Sequence, residues 1–266
     1  MKTASKTTAN GIEVNYEIHG KEGAPWLVLS HSLACSVRMW DPQIAALKEQ
    51  YRILAYDTRG HGASEAPEGA YTLEMLADDL FFLLKELKIQ KAHFCGLSMG
   101  GMIGQTFALK YPGVFKTLTL ADTTSRYPAE AWPLWQERIR TAETKGMEPL
   151  ALPTLERWFT EPFRKSNPAA VDGIRKLIVA TPVAGYAGCC HAIPKINLTT
   201  RLKEITCPIL VIVGADDPGT PPAMAHEIHD NAPGSKLVVL PQAAHLANLE
   251  QPEGFTRALR DFLRSN

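Results

Sequence analysis

The sequence predicts an α/β fold, a parallel sheet with helices on both faces. Short, mostly apolar runs bounded by Gly, Pro and Asp recur along the chain, with amphipathic helical stretches between them. One apolar run also leads through Gly96-Leu97-Ser98-Met99-Gly100-Gly101 straight into a helical stretch, a strand–turn–helix junction with a serine at its apex. Finally, residues 124–199 contain helical patches and no convincing strand, which reads as an insertion between two strands.

Taken in order, residues 11–20 alternate apolar and polar (Ile12, Val14, Tyr16, Ile18), the pattern of an antiparallel-type strand with one solvated face. Residues 26–30, 51–56, 92–95, 118–121, 209–213 and 236–240 read as strands buried on both faces. Residues 73–87 carry Leu76, Leu80, Leu83, Leu84 and Leu87 at helical spacing, and residues 99–110, 223–230 and 252–265 are further helices. The chain divides into a core (1–123 and 200–266) and an all-helical cap (124–199) holding Trp132, Trp135, Trp158 and Phe159. Such a cap would sit over the C-terminal edge of the sheet, where open α/β folds bind ligands.

Composition bounds the function. The 266 residues are 45% hydrophobic and 21% charged, ordinary for a soluble globular chain and enough for a sizeable core. A formal net charge of zero gives no electrostatic case for nucleic acid or an anionic membrane. The N-terminus, MKTASKTTANGIEVNYEIHG, lacks the apolar segment of a signal peptide, and no apolar run reaches the roughly 18 residues of a membrane span, so the expected location is cytoplasmic. Cys35, Cys95, Cys189, Cys190 and Cys207 are odd in number and fit no zinc spacing. They read as reduced thiols, with Cys95 and Cys207 as small core residues. His226 and His229 share a helix face without a carboxylate trio, so no metal site and no cofactor are expected.

The chemistry centres on Ser98. The turn is tight, so the positions two before and two after the serine must be small, and the following helix aims its N-terminal amides at the same spot. A serine hydroxyl is a weak nucleophile until a base takes its proton. His245, in the loop after the last strand, is the expected base, and an acid should lie between the two in the chain. Val211-Ile212-Val213-Gly214-Ala215-Asp216-Asp217-Pro218 offers two. Asp217 is preferred over Asp216 because the third residue after the strand-terminal glycine usually takes this role in such folds. The acid would hold the imidazole tautomer and stabilise the imidazolium. Two backbone N–H groups should form the oxyanion hole: that of Met99, and that of Leu33 in the loop His31-Ser32-Leu33-Ala34. Ser32 is a further candidate for orienting a substrate oxygen. Asp57-Thr58-Arg59-Gly60-His61-Gly62-Ala63-Ser64 reads as a tightly folded structural loop; its glycines lack dinucleotide-binding spacing.

With these segments the chain resembles the α/β-hydrolase superfamily over essentially its whole length. Within it the chain resembles 3-oxoadipate enol-lactonases, through His31-Ser32-Leu33, Met39-Trp40-Asp41, residues 56–64, Gln90-Lys91-Ala92-His93-Phe94, the Ser98 elbow, Arg157-Trp158-Phe159-Thr160, Gly185-Tyr186-Ala187-Gly188-Cys189 and Ala243-Ala244-His245-Leu246. The resemblance implies the α/β-hydrolase fold, a mostly parallel eight-stranded sheet flanked by helices with an inserted helical cap. It implies hydrolysis of a five-membered enol-lactone bearing a carboxylate, through an acyl group on Ser98, in the breakdown of aromatic compounds. A carboxylate needs a cationic or donor-rich partner: Arg126, Arg138 and Arg157 are the cap candidates, with Trp132 and Trp135 as pocket walls. The expected partner is a small lactone or ester, and the expected state a monomer or small homo-oligomer. The competing readings are an aryl esterase or perhydrolase, a carbon–carbon bond hydrolase, and a non-catalytic ligand-binding relative.

Overall fold

The computed structural model describes residues 3–266, and eight strands among them join in one sheet. They are β1 (Thr3–Ala9), β2 (Ile12–His19), β3 (Trp26–Ser30), β4 (Arg52–Tyr56), β5 (Ala92–Leu97), β6 (Phe115–Ala121), β7 (Ile209–Gly214) and β8 (Lys236–Leu240), in the spatial order β1-β2-β4-β3-β5-β6-β7-β8. The β1–β2 and β2–β4 pairings are antiparallel and all others parallel. The sheet is thus the mostly parallel, eight-stranded one expected.

Burial explains why most strands were legible. β5 and β7 are buried at every position, and their sequences, AHFCGL and ILVIVG, carry little polarity. β1 was missed because TASKTTA has no bulky apolar residue; it is an edge strand held by its register with β2. β8 departs from expectation: at the opposite edge, it buries only Leu240 fully, and Val239 is exposed.

The core helices are α1 (Asp41–Leu47), α2 (Leu73–Glu86) and α3 (Met99–Lys110). Between β6 and β7 come α4 (Trp132–Lys145), α5 (Glu148–Trp158), α6 (Glu161–Ser166), α7 (Pro168–Ala180) and α8 (Val183–Ala192), and then α9 (Pro222–Asn231), α10 (Ala247–Glu250) and α11 (Pro252–Arg264) complete the set. No strand lies between β6 and β7; the extended contact there is an isolated bridge between Arg126 and Asn197. Among the described residues, no single helix is long and apolar enough to cross a membrane.

Two close approaches seat α8 on the core. A Cβ on Gly185 would run into the backbone of Gly60, and one on Gly188 would run into the Tyr71 ring. Tyr71 also donates its N–H to the Gly188 carbonyl at 3.1 Å. Gly185 therefore fits α8 to the 57–64 loop at backbone contact, and Gly188 fits it to the Tyr71 ring.

The strand order has a physical consequence. From β3 the chain crosses to β4 on one side, whereas from β5 it proceeds to β6 on the other. Between β3 and β5 the sheet's connections diverge and leave a crevice at the strands' C-terminal ends. The loop after β3 carries Leu33, and the turn after β5 carries Ser98.

Candidate active site

Ser98 sits at φ 56°, ψ −116°, a conformation that costs a non-glycine residue on the order of 1–3 kcal/mol. The surroundings hold it there. Its N–H donates to the Ala121 carbonyl (2.8 Å), and its carbonyl accepts the Thr123 hydroxyl (2.7 Å). A Cβ on Gly96 would strike the Gly100 backbone, and one on Gly100 would strike the Ser30 backbone. Ser98 is partly exposed between fully buried neighbours, at the N-terminus of α3.

Asp217 and His245 meet in the loops after β7 and β8. Asp217 Oδ2 accepts from His245 Nδ1 (2.8 Å) and from the Thr220 hydroxyl (2.6 Å). Its Oδ1 accepts the N–H groups of Gly219 (2.7 Å) and Thr220 (3.1 Å). Burial alone would push this carboxyl up, but the His245 charge and the bonds from His245 and Thr220 outweigh it, and the pKa lies below the usual carboxylate value. Asp216 is exposed; its N–H donates to the Ala243 carbonyl (2.9 Å). Where the sequence left two aspartates, the geometry puts Asp217 on His245. Because Asp217 accepts at Nδ1, Nε2 is the nitrogen left free to accept a proton.

Ser98 and His245 line one cavity of about 180 Å³. Ser32 and Leu33 line it from the β3 loop, Trp135 and Arg138 from α4, and Arg157 and Trp158 from α5. The Trp158 ring stacks on His245 with centroids 5.9 Å apart. Trp132 is not among the lining residues: it opens α4, and its ring lies against His191. Arg126 is also elsewhere, paired with Glu227 of α9 at 2.6 Å. Those two expectations are therefore corrected. Sequence reasoning missed Tyr127, Thr154 and Tyr186 in the lining, and Thr220 on the acid. A hydroxyl residue three positions after an acid can close such a turn, so Thr220 had a local signal.

The β3 loop is held by two histidines. His31 Nδ1 donates to the Ser32 carbonyl (2.7 Å) and Nε2 accepts the Thr58 N–H (2.9 Å). His61 Nδ1 donates to the Arg59 carbonyl (3.1 Å) and Nε2 accepts the Ala34 N–H (2.9 Å). Each neutral imidazole thus bridges this loop and the 57–64 loop. The Ser32 N–H points to the Met39 sulfur (3.3 Å) and that of Cys35 to the Ser32 carbonyl (3.2 Å). Among the described residues, the Leu33 and Met99 amides donate to no protein acceptor. The Ser32 hydroxyl is buried without a partner.

Both histidines are fully buried, and burial drives their pKa values down, to about 4 for His31 and about 3 for His61, where the nearby His31 adds to the effect. The unfolded chain takes these protons near pH 6.5, so their contribution to stability is complete above that value and is lost as pH falls toward 4. Asp122 works the other way. Its carboxyl is buried and pushed well up, so the folded state protonates it first. The histidine contribution is therefore read as a difference. Between pH 7.5 and pH 5, urea unfolding of wild type should lose roughly 2 kcal/mol more than that of His61→Gln. Equal losses would contradict this assignment.

The five thiols are free, and burial pushes all of them up, to about 11 for Cys207 and about 12 for Cys190. Such groups are poor nucleophiles at neutral pH.

Residues 25–252 match the family model described as alpha/beta hydrolase fold. The 3-oxoadipate enol-lactonase 2 of Acinetobacter baylyi is 36% identical over 97% of this chain and 95% of its own. The crystal structure of the enol-lactonase from Burkholderia xenovorans LB400 is 40% identical with a TM-score of 0.94, covering 98% of this chain and 100% of that one. A thermophilic esterase from Thermogutta terrifontis, solved with malate bound, is 32% identical with a TM-score of 0.92, covering 99% of this chain and 98% of that one.

Proposed function

The chain belongs to the alpha/beta hydrolase fold family, and within it we propose that this protein is a serine hydrolase that opens 3-oxoadipate enol-lactone to 3-oxoadipate in the breakdown of aromatic compounds. The observation that carries the substrate reading is a pair of guanidinium groups in the wall of the Ser98 cavity. Arg138 and Arg157 line it, and among the described residues neither has a carboxylate within salt-bridge distance. Arg138 lies over the Trp135 ring, 4.5 Å from its centroid, and Arg157 donates to Thr154 (3.3 Å). Burial lowers the Arg157 pKa, and Arg138 lowers it further, so the two cations repel one another. An anion placed between them would relieve that cost and gain charge-assisted hydrogen bonds. The partner this chemistry asks for is a small ester or lactone bearing a carboxylate.

The reaction follows from the assigned roles. Ser98 Oγ attacks the lactone carbonyl while His245 Nε2 takes its proton. The Leu33 and Met99 amides donate to the oxyanion. The ring C–O bond breaks, and the enolate formed takes the proton from His245 and tautomerises to the ketone. Its chain remains joined to Ser98 as an ester. Water then attacks that ester, giving a proton to His245, which returns it to Ser98 as the acid is released. The helices between β6 and β7 (124–199) act as the cap that shapes the cavity and excludes water, over a core of 1–123 and 200–266.

Arg157→Met should lower kcat/KM for enol-lactone about 10- to 100-fold, the worth of one charge-assisted hydrogen bond, and leave an uncharged aryl acetate nearly unchanged. Equal losses on both substrates would remove the carboxylate role. The substrate itself is tested by generating enol-lactone in situ and following its loss by ultraviolet absorbance. A kcat/KM far higher for simple aryl esters than for enol-lactone would make the protein an esterase instead.

A further inference from the structure

We propose that Glu250 is a positioning residue that couples the helical cap to His245; the inference rests on His245 being the general base. Glu250 ends α10 and is 8% exposed. One carboxylate oxygen accepts both the N–H (2.9 Å) and the hydroxyl (2.7 Å) of Thr160, the residue that caps α6. The other accepts the N–H of Ala244 at 2.5 Å, immediately before His245. Immediately after His245, the Leu246 N–H donates to the carbonyl of Trp158, whose ring stacks on the imidazole. The backbone on both sides of the base is therefore gripped, directly or through Glu250, by residues 158–160.

Glu250 lines a groove of about 660 Å³ together with Phe159 and Phe163 from one segment and Gln242 and Gln251 from the other. Its residue type fits the place. Three donors converge on the two oxygens, and a carboxylate is acceptor-only. A glutamine would turn its NH₂ toward a donor on one side or the other, so the tie to Thr160 or to Ala244 would be lost. His245 must present Nε2 to Ser98 within hydrogen-bond reach, and small misplacements of a reacting group are costly. Cap position thus reaches the base through Glu250, which lies 90 residues along the chain from Thr160, alongside the direct contacts of Trp158.

The test counts sites before measuring rates. Wild type, Glu250→Gln, Thr160→Val, Thr160→Ser and the Glu250→Gln/Thr160→Val double variant are titrated to completion with a fluorophosphonate. Turnover of p-nitrophenyl acetate is then measured per titrated site. Glu250→Gln should lower kcat per site about tenfold or more with KM little changed. Thr160→Val should fall in the same direction, Thr160→Ser should stay near wild type, and the double variant should be no slower than the slower single. Thr160→Val keeps the carboxylate and carries the test if Glu250→Gln fails to fold. A reduced count of competent sites with normal kcat per site would make Glu250 merely structural and overturn the proposal, as would losses that multiply independently. A wild type that takes up no probe at Ser98 would instead overturn the serine reading itself.

Discussion

Ser98→Ala is expected to lower kcat by a factor on the order of 10⁴ or more, on enol-lactone and aryl esters alike, with fold and stability preserved. The methyl group removes the only hydroxyl presented at the apex of the β5–α3 turn, where the chain holds φ 56°. The cavity, its arginines and the Leu33 and Met99 amides stay, so substrate binding persists while the acyl transfer has no acceptor. Residual turnover reflects binding and oxyanion stabilisation alone. A variant that keeps full rate would place the nucleophile elsewhere.

Asp217→Asn is expected to lower kcat about 10⁴-fold with a much smaller change in KM, because it alters the proton inventory rather than the shape. All four hydrogen bonds to Asp217 come from donors: Gly219, Thr220 twice, and His245. An asparagine cannot accept all four. If its NH₂ faces His245, Nδ1 becomes the acceptor and Nε2 carries the proton, so the imidazole cannot take one from Ser98. If its NH₂ faces Gly219 and Thr220, two backbone donors are opposed in a buried loop. Asp216→Asn, at an exposed side chain, should change kcat less than twofold. A large effect there with a small one at Asp217 would exchange the two roles.

The parts of this site that were legible in the sequence are those encoded locally. A nucleophile elbow needs small residues on either side of one serine, and a strand before a helix, all within about ten residues. The buried strands announced themselves through continuous apolar runs, whereas β1, TASKTTA, owes its state to pairing with β2 and carries no such run. Trp132 and Trp135 looked alike as pocket walls, yet only packing decided that Trp135 lines the Ser98 cavity and Trp132 lies against His191. Arg126, Arg138 and Arg157 were all candidate cations; Glu227, from α9, pairs with the first. The roles of His31 and His61 as neutral bridges depend on loops 27 residues apart meeting. Glu250 was least legible, since a lone glutamate near a helix end is usually solvated, and two of its three donors come from Thr160, 90 residues away along the chain.

The proposed reaction passes through a covalent ester at Ser98. Enzyme mixed with enol-lactone, quenched in acid during turnover, digested and examined by mass spectrometry tests this directly. Because ring opening expels no separate leaving group, the peptide bearing Ser98 should gain the mass of the whole lactone, and Ser98→Ala should gain none. Accumulating product with no adduct at any quench time, or an adduct on another residue, would contradict it.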